Sequence, residues 1–145
     1  MPGRFGSLST FVDAAGHIGA TRVVCLVTGP EIAAKSPAYA EARQLGTLPL
    51  AVQDHPIPDY GLPEDPAAFA EFIKGLCVDL QDGQRMILHC AAGIGRTGVV
   101  SQHLLMALGA DPVGAQEQVL RAGSHPETAE QRLFCTKPVV LSRTV

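Results

Sequence analysis

The chain has 145 residues, 46% hydrophobic and 17% charged, which fits one compact domain able to bury a core without metal or disulfide staples. With 11 Lys plus Arg against 14 Asp plus Glu its formal charge is -3, and no basic stripe or Arg-rich arm marks it for nucleic acid. No stretch approaches the ~18 apolar residues of a membrane span, and Met1-Pro2-Gly3-Arg4 leads into no apolar signal region, so the expected location is the cytoplasm.

After a Gly- and Ser-rich start, Thr10 to Ile18 reads as a short helix. Val23-Val24-Cys25-Leu26-Val27 is a continuous, β-branched apolar run stopped by Thr28-Gly29-Pro30, the pattern of a buried strand. Pro37 starts or interrupts a helical stretch carrying Tyr39 to Leu45, which Gly46 closes. Thr47 to Val52 is a weaker strand. Three prolines and a glycine in the segment from His55 to Pro63 restrict the backbone and mark a loop. Asp65 caps the clearest helix, with Pro66 in its first turn and Phe69, Phe72, Ile73, Leu76, Cys77 and Leu80 on one face. Asp82-Gly83 turns the chain into Met86-Ile87-Leu88, a short strand ending at His89 and Cys90. Val99 to Leu108 reads as a buried helix, Asp111-Pro112 opens another, and a last one runs from near Pro126 through Phe134. Strands alternating with helices predict one α/β domain over residues 1–145, a mainly parallel sheet flanked by helices.

Four cysteines, Cys25, Cys77, Cys90 and Cys135, form no CxxC pair, and their spacing matches no zinc or redox pattern. Cys25, Cys77 and Cys135 read as small buried hydrophobes. Cys90 differs because of its neighbours, His89-Cys90-Ala91-Ala92-Gly93-Ile94-Gly95-Arg96-Thr97-Gly98, set between a predicted strand and a predicted helix. Successive backbone N–H groups hold a phosphate dianion when the chain curls tightly around it. Gly93 and Gly95 permit that curl, and Ala91, Ala92 and Ile94 complete the rim. The helix start near Arg96 adds unpaired N–H groups, and the Arg96 guanidinium adds a fork for two phosphate oxygens. The same field favours a Cys90 thiolate, placed to attack phosphorus and form a phosphocysteine intermediate. Thr97 is placed to donate to the Cys90 sulfur, and His89 to orient the loop through hydrogen bonds.

From His89 through Thr97 the run resembles the signature of the protein tyrosine phosphatase superfamily, His-Cys-x5-Arg followed by Ser or Thr. The resemblance extends from about Val23 to Phe134. Length and layout are similar to the small dual-specificity branch, and Pro56-Ile57-Pro58-Asp59 is similar to the loop of the cyclin-dependent kinase inhibitor 3 type. The Asn-Arg-Tyr element of the longer, tyrosine-specific members is absent from the sequence. The resemblance implies a phosphatase-like α/β fold, a phosphorylated protein or peptide as substrate, and no cofactor or metal. Sulfurtransferases also hold an anion loop on cysteine but do not need this arginine-terminated form, and low-molecular-weight phosphatases carry theirs near the N-terminus. A catalytically weak module that only binds phosphoproteins is the alternative of a different class. Ala91 to Gly95 supply no basic side chain, which argues against a phosphoinositide.

A phenolate or alkoxide leaves poorly, so hydrolysis needs a proton donor near the leaving oxygen. Asp59 on the Pro-rich loop is the choice, because the resemblance places the acid on a comparable mobile loop. Pro56 and Pro58 stiffen its approach and Gly61 permits closure. Asp54 and Asp65 compete, but Asp65 is better explained as a helix cap. Tyr60 is expected at the mouth of the pocket. Gln131 resembles the glutamine that some family members use to position hydrolytic water, with an exposed helical residue as the competing account. His103 reads as packed, and His17, His55 and His125 are scattered in sequence. Cys25, on the strand expected beside the phosphate-loop strand, is a candidate resolving cysteine.

Overall fold

The computed structural model describes residues 1–141. Its elements are α1 (Leu8–His17), β1 (Arg22–Cys25), α2 (Gly29–Lys35), α3 (Pro37–Leu45), β2 (Ala51–Asp54), α4 (Pro66–Gln81), β3 (Met86–His89), α5 (Gly95–Ala107), α6 (Pro112–Arg121) and α7 (Ala129–Phe134). The three strands form one sheet in the order β2-β1-β3, with both pairings parallel. The expected α/β class and parallel sheet are therefore present, with seven helices among the described residues.

Central strand β1 explains its own composition. Val23, Val24 and Cys25 are fully buried, as a parallel strand covered on both faces requires. Val23 joins Ala15, Ala20 and Leu50 in a small cluster against α1. Val24 and Cys25 join the main core with Ile57, Phe69, Ile73, Leu76 and Val100. Helix α4 supplies much of that core, and the predicted cap is in place: the Asp65 carboxylate accepts from the amides of Ala67 and Ala68 at 2.9 and 3.0 Å. Each large apolar side chain fully buried here contributes about 1.5–3 kcal/mol relative to exposure.

Several boundaries differ from the sequence reading. The second strand begins at Ala51 rather than Thr47, since Pro49 has no N–H to give a ladder. Thr28-Gly29-Pro30 ends the strand region as expected, but Gly29 and Pro30 also open α2, with Pro30 in its first turn. That helix has seven residues and buries Ile32 alone, too little to print an apolar period. Helix α5 begins at Gly95, beside the helix start expected near Arg96 and four residues before the apolar run from Val99. Gly46 does close α3, in the left-handed conformation with φ 65°.

Strand register aligns the three strand ends. Cys25 lies opposite Asp54 on one side and His89 on the other. Pairing continues past the strand ends, with Leu26 N–H on the His89 carbonyl at 3.0 Å and Ile57 N–H on the Leu26 carbonyl at 3.0 Å. The chain after β1 becomes α2, the chain after β2 becomes the Pro-rich loop, and the chain after β3 becomes the Cys90 loop. All three leave the sheet at its carboxyl edge, where open α/β sheets place their ligands. No helix among the described residues is long and apolar enough to cross a membrane.

Candidate active site

Cys90, Ala91, Ala92, Gly95 and Arg96 line an opening of about 120 Å³ together with Asp59. Arg4, Lys35, Tyr60 and Glu127 form its rim. A larger apolar hollow of about 610 Å³, bordered by Pro66, His103 and Phe134, contains none of the Cys90 loop. Gly93 takes φ 78°, a left-handed turn that a side chain would strain, and its carbonyl accepts from the Ser124 hydroxyl.

Cys90 is 3% exposed, and burial by itself would raise its thiol. The Thr97 side chain and the backbone groups of Thr97, Gly93 and Ile94 offset that, so the pKa falls below its ordinary value. Among the described residues the Thr97 hydroxyl has no nitrogen or oxygen partner, which leaves its proton for the sulfur when the thiolate forms. Behind the loop, the His89 ring lies 3.0 Å from the Tyr39 hydroxyl through Nε2 and 3.1 Å from the Cys90 carbonyl through Nδ1. A carbonyl only accepts, so Nδ1 carries the proton and Nε2 accepts from Tyr39. Burial pushes the His89 pKa down to about 4, so the ring is neutral and both nitrogens are engaged.

Arg96 is 2% exposed, and the partners of its terminal nitrogens come from the other two carboxyl-edge connections, α2 and the Pro-rich loop. Nη1 and Nη2 donate to the two Glu31 oxygens at 2.9 Å each. Nη1 also donates to the Ile57 carbonyl at 3.2 Å, and Nη2 lies 3.0 Å from Asp59 Oδ1. Of the two carboxylates on this fork Asp59 is the more exposed, 46% against 14% for Glu31. The Arg96 hydrogen bonds hold the Glu31 carboxyl down at about 2 against its burial, with Lys35 assisting. Lys35 donates to Glu31 at 2.7 Å and lies 3.9 Å from Asp59.

The competing carboxylates are engaged elsewhere. Asp54 is held by the Arg43 guanidinium at 2.7 and 2.9 Å, and Asp65 caps α4. In this conformation Gly61 does not hold the strained backbone of the loop. The positive φ belongs to Tyr60, at 56°, a conformation costing about 1–2 kcal/mol for a side-chain-bearing residue. Gly61 is small for packing: a methyl group there would lie 2.9 Å from Pro58 Cβ. Tyr60 does reach the rim. Gln131 is fully buried rather than exposed, and lies outside the opening as the third helical residue of a capping box with Thr128. His103 packs between Phe69 and Phe134, with ring centroids at 5.4 and 4.5 Å. Cys25 lies beside the loop strand, its thiol raised by burial.

Arg4, Glu31, Lys35 and Glu127 are residues that sequence reasoning missed. Glu31 follows a helix-opening proline and looks like any acidic first-turn residue. Glu127 places its carboxylate against Gly95, so tightly that a methyl group there would collide with it. Among the described residues no group of three or more His, Cys, Asp or Glu side chains is arranged to hold a metal ion.

Comparison with known proteins bears on this arrangement. The family model described as Swiss Army Knife protein, DSP-PTPase phosphatase domain, matches residues 6–139. Cyclin-dependent kinase inhibitor 3 of Sus scrofa is 38% identical over 65 residues, 45% of this chain and 30% of that protein. Tyrosine-protein phosphatase 1 of Caenorhabditis elegans is 40% identical over 63 residues, 43% of this chain and 6% of that protein. The chain thus aligns with less than a third of either relative's length. Among solved structures, kinase associated phosphatase with its catalytic-site cysteine replaced by serine gives a TM-score of 0.78 at 21% identity, over 93% of this chain and 80% of that one. Tk-PTP in its active form gives 0.69 at 24% identity, over 86% and 81%.

Proposed function

The chain belongs to the DSP-PTPase phosphatase domain family of Swiss Army Knife proteins, a family acting on phosphoprotein substrates, and on that premise we propose that it hydrolyses phosphotyrosine through a phosphocysteine intermediate. Phosphoserine and phosphothreonine are further substrates, residues 1–145 form one catalytic domain, and the reaction runs in the cytoplasm without cofactor or metal. The observation that carries this reading is the meeting of Cys90, Arg96 and Asp59 in one small opening.

In the first step the Cys90 thiolate attacks phosphorus, a sulfur–phosphorus bond forms, and the phosphorus–oxygen bond to tyrosine breaks. Asp59 gives its proton to the departing oxygen. Arg96 and the N–H groups of residues 91–96 bind the equatorial oxygens, where charge develops. Exchange of Asp59 from Arg96 for the incoming phosphate leaves the carboxyl at the rim, beside the leaving group. In the second step water attacks phosphorus, Asp59 accepts its proton, and the thiolate leaves with the Thr97 hydroxyl donating to sulfur. His89 keeps the loop in place through Tyr39 and the Cys90 carbonyl.

The test is a pair of substitutions. Cys90→Ser should abolish turnover while vanadate still binds, because the cradle is mostly backbone. Asp59→Asn should slow phosphotyrosine hydrolysis by about 10²–10⁴-fold, the value of a lost proton donor, and affect an aryl phosphate with an acidic phenol much less. It should also remove the alkaline limb of kcat/KM and, by removing the carboxylate that competes for Arg96, tighten vanadate binding. Turnover by Cys90→Ser, or vanadate and phosphopeptide binding by the wild type without any phosphate release, refutes the proposal. Transfer of the leaving-group effect to Asp54→Asn moves the acid to that residue.

A further inference from the structure

The proposed proton donor sits on a tight turn. Gly61 N–H closes onto the Pro58 carbonyl at 2.8 Å, so Asp59 and Tyr60 are its two central residues, and Tyr60 holds the unfavourable positive φ. Such a turn keeps its shape only when its ends are held. The entrance is held by Ile57, whose N–H pairs with Leu26 and whose carbonyl accepts from Arg96. The exit is held by Gln131: its Nε2 donates to the Gly61 carbonyl at 3.0 Å, across 70 residues.

The other end of the same carboxamide is also occupied. Gln131 Oε1 accepts from the amides of Glu127 at 2.8 Å and Thr128 at 3.3 Å, which uses both of its lone pairs. The side chain is fully buried. A carboxamide committed in this way has no acceptor left for a water at phosphorus. It joins the Asp59 turn to the segment whose Glu127 carboxylate packs on Gly95 of the phosphate loop.

We propose that Gln131 is a positioning residue that latches the Asp59 turn over the phosphate loop, and that it does not orient the hydrolytic water. This rests on Asp59 being the proton donor.

Gln131→Glu separates the two ends of the side chain. A carboxylate at this position still accepts from Glu127 and Thr128, as in a Ser/Thr-x-x-Glu capping box, but it cannot donate to Gly61. Urea melts should therefore show a folded variant, and the Gly61 amide should exchange with deuterium faster than in the wild type. For phosphotyrosine kcat/KM should fall by about 10–100-fold, the effect of a misplaced catalytic group. For an aryl phosphate with an acidic phenol it should stay within about 2-fold, because that leaving group needs little proton donation. Added to Asp59→Asn, the change should cause no further leaving-group-dependent loss. An unchanged kcat/KM with a lowered kcat and accumulating phosphoenzyme would assign Gln131 to the water and overturn the latch, as would equal losses on both substrates. If Asp59→Asn shows the leaving-group effect and Gln131→Glu does not, the latch alone fails. If Asp59→Asn shows none, the proton-donor assignment fails and the latch with it.

Discussion

Replacing Glu31 with Gln withdraws one negative charge from a pair whose side chains are 2% exposed at Arg96 and 14% at Glu31. The carboxylate accepts two N–H bonds from Arg96 and one from Lys35. A carboxamide offers one oxygen and turns an NH2 toward a donor. The Arg96 bonds, opposed by burial and aided by Lys35, move the Glu31 pKa from 4.5 to about 2. That depression corresponds to roughly 3 kcal/mol of stability at neutral pH. Removing one partner of a buried pair costs ~3–5 kcal/mol when the other is left alone. Arg96 keeps Asp59 and the Ile57 carbonyl, so the expected loss is about 2–3 kcal/mol, or roughly 5–10 °C in Tm. The sign of the pH dependence is fixed: a carboxyl with a depressed folded pKa stabilises above its unfolded value and loses that contribution as pH falls. The gap between wild type and Glu31→Gln in urea titrations should therefore be full above pH 4.5 and shrink as pH falls toward 2. In activity, loosening Arg96 should lower kcat/KM by about 10²-fold for good and poor leaving groups alike, unlike the changes at Asp59 and Gln131. A gap below about 0.5 kcal/mol, or one that is constant from pH 7 to pH 3, would refute the reasoning.

The same geometry sets two further outcomes. Mild peroxide should inactivate the protein by oxidising Cys90, and thiol should restore it; peptide mapping is expected to find Cys90 joined to Cys25, and a link to Cys77 or Cys135, or none, rules Cys25 out. Gly98→Ala should lower Tm and urea midpoint by the equivalent of about 1–3 kcal/mol, the cost of overpacking, because a methyl group there lies 2.8 Å from the His125 backbone nitrogen and Cα. A variant as stable as wild type would show that the 125 segment yields easily.

Features that nearest neighbours decide were legible in the sequence. Asp65-Pro66 and the apolar spacing after them fixed α4, because capping and helical periodicity act within a few residues. His89 to Gly98 likewise read as strand, loop and helix, because a curl of small residues before a helix start is a local property. Tertiary structure decided the rest. Pro49 keeps β2 from starting earlier, but the register of Ala51–Asp54 is set by its ladder partners on β1. Glu31 is an ordinary acidic residue until parallel pairing brings the ends of β1 and β3 together and sets its carboxylate on Arg96, 65 positions away. Gln131 reads on paper as either exposed or catalytic, and becomes a buried bridge only when α7 docks against the Pro-rich loop. Charge and hydrogen-bonding capacity belong to a residue, but its partners are chosen by the chain's long-range packing, which brings groups far apart in sequence within reach of one another.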